Sequence, residues 1–252
     1  MPADFPRNGG ALVIGATGAI GSAVAHLLAE RGARVGVTYR RRKTEAAALA
    51  RAVGAPSPWQ LDGSGPDACA TVVDAAADSF GGLHTVVYAA GPHVPMRYLS
   101  SVAPRDLSVQ LEADASAFFA VAHAAVPHLR RSRGSIVAVT TAATHRFPVR
   151  DGLSVVPKAA VEAAVRALAA EEGKFGVRAN CVGPGMLSDG MAARLIADGD
   201  LHDSALEAAR RATPLRRFGT ASDVAEAVCF LASERAQFIT GQSLAVDGGF
   251  SV

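Results

Sequence analysis

The chain has 252 residues, half of them apolar, and its 25 basic and 23 acidic residues leave a formal charge of +2. That length and apolar content can bury one large core without a partner, and so even a charge balance argues against a nucleic-acid groove. Cys69, Cys181 and Cys229 are scattered, odd in number and form no CxxC pair, so neither a disulfide framework nor a zinc site is expected. Residues 1–10 lack the apolar core of a signal peptide. No later apolar run reaches membrane-spanning length without glycine or charge, and the expectation is a soluble cytoplasmic protein without a membrane partner.

Along the chain, short β-branched runs alternate with alanine-rich helical stretches. The runs are Leu12 to Ile14, Arg34 to Tyr39, Thr85 to Tyr88, Ser135 to Thr141, Val177 to Val182 and Ser243 to Val246. This rhythm predicts a parallel sheet wrapped by helices, and a short strand at Trp59 to Leu61 brings the count to seven. No repeat, linker or low-complexity boundary intervenes. Residues 1–252 therefore read as one α/β domain, a doubly wound Rossmann-like sheet with helices on both faces.

The first strand runs straight into Gly15-Ala16-Thr17-Gly18-Ala19-Ile20-Gly21 and a helix from Ser22 to Arg31. Glycines permit the tight turn and close backbone approach, while free N–H groups and the positive helix end attract a pyrophosphate. Gly15, Thr17, Gly18, Ile20 and Gly21 are the candidate dinucleotide contacts. The second strand ends at Thr38-Tyr39-Arg40 without the acid that would hold an NAD ribose and repel a 2′-phosphate. Arg40 offers that phosphate a bidentate fork, and Arg41 and Lys43 add positive field, so NADPH is expected over NADH.

Farther along, Ser154 and Lys158 stand four residues apart and share one helix face. A serine just before Val155-Val156-Pro157 is also a natural helix N-cap, with the proline in the first turn. Residues 183–219, rich in proline, glycine and charge around two short helical patterns, suggest a substrate lid over the carboxyl edge of the sheet.

The chain resembles the short-chain dehydrogenase/reductase family over essentially its whole length. The match is most specific in Thr213-Pro214-Leu215-Arg216-Arg217-Phe218-Gly219, Asp223-Val224-Ala225, Phe230-Leu231-Ala232-Ser233, Ile239-Thr240-Gly241-Gln242 and Val246-Asp247-Gly248-Gly249, a pattern similar to the 3-oxoacyl-carrier-protein reductases. The resemblance implies that Asn180, Pro184, Gly185 and Leu187 belong to the segment lining the nicotinamide. It also implies that Asp62 touches the adenine, and that Ala90-Gly91 keep the second half of an Asn-Asn-Ala-Gly motif. A homodimer or homotetramer is implied, built on the small faces of Ala159, Ala160, Ala163, Ala164 and Ala167 and of Phe118 to Ala125.

Departures from the family pattern concentrate around the chemistry. Ile14 and Ala19 depart in the cofactor turn, and Tyr88-Ala89 replace the two asparagines. Asp114 takes the place of a helix asparagine and Thr141 that of the catalytic serine. Ser154 stands where the catalytic tyrosine is expected, while Lys158 survives. In the family scheme the tyrosine protonates the substrate oxygen as hydride arrives, the lysine assists it and holds the cofactor ribose, and the serine orients the carbonyl. An aliphatic alcohol is a far weaker acid than a phenol, so Ser154 cannot simply substitute.

Lys158, Ser154, Thr141 and Asp114 are thus the candidate catalytic residues. His145, in the loop after Thr141, is a candidate source of the missing proton, and His93 is a weaker one for the same pocket. Arg146 and Arg150 bracket His145 and could hold an anionic or carrier-linked substrate. Three readings stay open. The first is NADPH-dependent reduction of a ketone, on a polyketide-like or acyl-carrier-linked small molecule of secondary metabolism. The second is reduction of a conjugated C=C bond, because Ser154 to Ala163 and Glu172 to Gly176 also resemble 2,4-dienoyl-CoA reductases. The third is a non-redox role, as dehydratase, cyclase, epimerase or non-catalytic partner.

Overall fold

The computed structural model describes residues 4–62, 65–92, 94–189 and 203–252. Seven parallel strands form one sheet: β1 (Gly10–Ile14), β2 (Val35–Tyr39), β3 (Trp59–Gln60), β4 (Leu83–Tyr88), β5 (Ser135–Val139), β6 (Arg178–Pro184) and β7 (Ser243–Val246). Their spatial order is β3-β2-β1-β4-β5-β6-β7. The order reverses between β1 and β4, and at such a switch point the loops diverge and leave a crevice at the carboxyl edge.

Side chains alternate across the sheet and build two cores. Leu12, Ile14, Val86, Tyr88 and Ile136 face α3 (Pro66–Phe80), α5 (Ala117–Ser132) and α6 (Gly152–Glu172). Val13, Val37, Val87 and Val137 face the other way, toward α1 (Ala19–Glu30), α2 (Lys43–Ala52) and α8 (Ala221–Ala232). Near-continuous apolar strands follow from burial on both faces. All three cysteines are buried, and burial pushes the Cys181 and Cys229 thiols up to about 12, as suits small core residues. The α6 residues Ala159, Ala163 and Ala167 are exposed.

Three boundaries differ from the sequence expectation, and each moves a site residue. Helix α1 starts at Ala19, so Gly21 already lies in its first turn. Strand β5 stops at Val139, and Thr141 instead caps a short 3-10 turn, Ala142–Thr144, its hydroxyl accepting from the Ala143 N–H at 3.2 Å. Helix α6 starts at Gly152. The Asp151 carbonyl accepts both the Ser154 and Val155 N–H groups at 3.0 Å, so Asp151 is the N-cap, Ser154 sits one turn in, and Pro157 is interior.

Of the expected lid, residues 183–184 belong to β6, and Leu187 makes a parallel bridge to Gly219. Helix α7 (Asp203–Ala212) lies between them in the chain, and residues 190–202 lie outside the described residues, as does His93. Among the described residues, no helix is long and apolar enough to cross a membrane.

Candidate active site

The turn after β1 is shaped by what glycine lacks. Gly15 adopts φ +79, and a Cβ there would stand 2.8 Å from the backbone of Ala90. A Cβ on Gly21 would stand 2.3 Å from the Gly15 carbonyl oxygen, so the helix start lies flat against the turn. Thr38 on β2 ties the turn down, accepting from Gly15 N–H at 3.1 Å and donating to the Val13 carbonyl at 3.0 Å. Gly18 caps α1 without a side chain, and no acid occupies the first turn. The leading N–H groups of α1 therefore lack a side-chain partner, the arrangement an anion completes.

At the end of β2, the Arg40 and Arg41 side chains are exposed and make no hydrogen bond among the described residues. Asp62, past β3, is exposed too. Its charge adds to burial in raising the thiol pKa of Cys69. A tight glycine turn, an uncapped helix and two exposed guanidiniums at the end of β2 fit the phosphates of a dinucleotide.

Lys158 on α6 reaches into the crevice and is only 11% exposed. Its Nζ donates to Asp114 Oδ1 at 3.0 Å and to the carbonyls of Ala90 and Val139 at 3.2 Å each. Three acceptors account for its three protons. Ala90 packs against Gly15, and Val139 comes two residues before Thr141, so one ammonium joins the glycine turn to the end of β5. Gly91 lies beside it, a Cβ there standing 3.5 Å from Nζ, an ordinary contact.

Asp114 is buried and comes from a π-helical turn, Glu112–Ser116, inserted between α4 (Pro104–Leu111) and α5. Such turns interrupt a helix at functional sites more often than elsewhere. Its carboxylate makes a direct ion pair with Lys158.

Sequence reasoning missed Tyr88 and Glu162. Tyr88 ends β4, its ring 5.9 Å below Lys158 Nζ, and its hydroxyl donates to the Asp114 carbonyl at 3.2 Å. Burial, then the neighbouring Asp114 charge, raises its phenol pKa far above the ordinary value. It is a fixed wall and no acid. Glu162 lies one turn beyond Lys158, where its Oε1 accepts from the hydroxyls of Thr140, Thr144 and Ser243. That cage pins the β5 exit to α6 and β7. Its only sequence signal is a glutamate four residues after the lysine.

The remaining candidates divide. Ser154 is half-buried on the Lys158 face, and its hydroxyl makes no hydrogen bond among the described residues. The Thr141 hydroxyl accepts from Ala143 N–H and keeps its own proton to donate. His145 is exposed, and its ring has no hydrogen-bond partner among the described residues. Arg146 stacks on Phe250 at 4.9 Å and donates to the Phe250 carbonyl, and Arg150 donates to the Met96 carbonyl at 2.9 Å. Asn180 is fully buried, bonded to the Ile239 carbonyl and the Gln242 N–H, and so holds β6 in place. Pro184 ends β6, and Gly185 packs so close to Asp247 that a Cβ would stand 2.7 Å from its Cα.

Residues 15–251 match the family model described as Enoyl-(Acyl carrier protein) reductase. The chain is 31% identical over 238 residues to the L-fucose dehydrogenase of Oryctolagus cuniculus, covering 94% of this chain and 83% of that protein. It is likewise 31% identical over 249 residues to a versicolorin reductase of Emericella nidulans, covering 95% and 94%. A short-chain dehydrogenase from Burkholderia cenocepacia, solved in complex with NADP, has a TM-score of 0.87 at 30% identity and covers 97% of this chain and 98% of that one. With the glycine turn, the switch-point crevice and Lys158 in place, the chain belongs to the short-chain dehydrogenase/reductase family of nicotinamide-dependent oxidoreductases.

Proposed function

We propose that this oxidoreductase reduces a ketone with NADPH, on a polyketide-like or acyl-carrier-linked substrate, through a site without the family's tyrosine acid. The observation that carries the reading is the Lys158 ammonium held between the glycine turn and the Thr141 end of β5. When bound, the reduced nicotinamide supplies a hydride. The chain's own residues do the rest. The α1 N-terminus and Arg40 hold phosphates, with Asp62, Ala90, Gly91, Pro184, Gly185 and Leu187 along the cofactor's length. Lys158 reaches the ribose by exchanging one of its carbonyl bonds. Thr141 and Ser154, each with a hydroxyl proton to offer, hold the carbonyl oxygen. Preference for NADPH rests on Arg40 and Arg41, which are free and face no acid at the β2 terminus. Exposed Arg146 and Arg150 suit an anionic carrier.

Two hydroxyl donors without a strong acid also suit an enolate, and the enoyl-reductase description of the matching family model favours C=C reduction as a second reading. Incubation with deuterated NADPH and matched ketone and enone panels separates the two. Deuterium on a carbinol carbon supports ketone reduction, deuterium β to an intact carbonyl replaces it with the second reading, and no NADPH oxidation on either panel rejects both.

A further inference from the structure

The site as described holds a carbonyl oxygen but offers no evident acid. Tyr88 is sealed under Lys158, His145 is outside, and two aliphatic hydroxyls are poor acids. Asp151, the N-cap of α6, lies three residues before Ser154 and seven before Lys158. Ser154 and Lys158 share one helix face, and Asp151 stands at the helix start one turn, about 4.5 Å of rise, before Ser154 and on the same side of the helix axis. We propose that Asp151 is the proton donor of this enzyme, delivering to the substrate oxygen held by Ser154 and Thr141 the proton that a tyrosine supplies elsewhere in the family. This rests on the ketone-reductase reading.

The backbone fixes Asp151 in place. Arg150, immediately before it, is held at φ +76, a left-handed conformation that costs a non-glycine residue about 1 kcal/mol or more. Two hydrogen bonds clamp it there: Arg97 N–H to the Arg150 carbonyl and the Arg150 guanidinium to the Met96 carbonyl, both 2.9 Å. Behind it, Gly152 lets Leu99 close in, with space for a Cβ only 3.1 Å from the leucine, and Leu153 and Val155 are buried. Asp151 is thus fixed, half-buried, beside buried apolar residues at the start of the helix that carries Ser154 and Lys158.

Among the described residues it makes no hydrogen bond or ion pair. The Arg150 guanidinium is turned to the Met96 carbonyl, the Arg97 side chain is exposed and makes no hydrogen bond among the described residues, Arg146 is on Phe250, Lys158 is paired with Asp114, and His145 stands exposed. Burial without a compensating cation pushes the Asp151 carboxyl up to about 6, so an acid is present near neutral pH. The step balances simply. The carbonyl carbon gains a hydride from the reduced nicotinamide, its oxygen gains the Asp151 proton, C=O becomes CH–OH, and the carboxylate recovers its proton from water.

The decisive experiment combines kinetics with a titration of the cofactor-free protein. With NADPH and a panel of aryl, cyclic and β-keto-ester ketones, wild-type kcat/KM should fall tenfold per pH unit above about pH 6. Asp151→Asn should lower kcat on the order of 10² to 10⁴-fold and erase that limb, and Asp151→Glu should restore it in part. In parallel, ¹³C-carboxyl aspartate spectra should contain one resonance titrating near 6 that Asp151→Asn removes. An active wild type whose pH limb survives in Asp151→Asn, or spectra in which the Asp151 carboxyl titrates at an ordinary value, overturn the assignment while leaving the reductase reading intact. A wild type inert toward every ketone, yet showing the raised carboxyl, rejects the reductase reading and the donor role with it.

Discussion

The phosphate turn and the catalytic face of α6 lie on either side of one ammonium, yet they encode function differently. The turn works through backbone: Gly15 and Gly21 matter because a Cβ would stand 2.8 Å from Ala90 and 2.3 Å from Gly15 oxygen. The face of α6 works through side chains: Lys158 pairs with the Asp114 carboxylate, and Ser154 stands four residues before it. A steric demand for no side chain admits one residue type. A chemical demand for a proton can be met from a neighbouring position. The two regions therefore differ in how much substitution each admits.

The contrast is most severely tested at Gly21. Gly21→Ala should force the turn away from α1 and weaken NADPH binding by on the order of a hundredfold, nearly 3 kcal/mol, measured by cofactor fluorescence titration. Retained affinity would show that the cradle is less backbone-determined than the distances imply. Lys158 joins the two regions, and its removal should harm both. Lys158→Ala leaves the buried Asp114 carboxylate unpaired, a loss of about 3–5 kcal/mol for a buried pair, seen as a thermal midpoint lowered by roughly 10 °C. Asp114→Ala/Lys158→Ala should recover part of that loss, since the stranded charge is gone. The smallest effect belongs to the exposed rim: Arg40→Ala should raise the NADPH dissociation constant about tenfold, roughly 1.4 kcal/mol, and leave that for NADH unchanged. Equal weakening of both cofactors would remove Arg40 from 2′-phosphate recognition.

The legibility of the molecule follows the same division. The seven strands, their parallel sense and the glycine turn were readable because sheet burial imposes β-branched runs and close approach imposes glycine. The helix boundaries were less so. Ser154 resembles a cap because Val155-Val156-Pro157 follows it, but the Asp151 carbonyl already closes the first turn at 3.0 Å, and Pro157 lies inside the helix. Glu162 and Tyr88 could not be placed from spacing, since their partners come from β5, β7 and the π turn, all remote in sequence.

By itself, then, the sequence determined the α/β architecture, the dinucleotide cradle and the absence of a tyrosine four residues before Lys158, because each is a local matter of periodicity, missing side chains or residue identity. Tertiary structure decided that Asp114 pairs directly with Lys158, that Tyr88 is sealed off, that His145 is exposed and that Asp151 is half-buried without a cation bonded to it among the described residues. Charge and acidity depend on which distant groups are brought within a few ångströms and on how much water is excluded, and no local pattern in the chain specifies either.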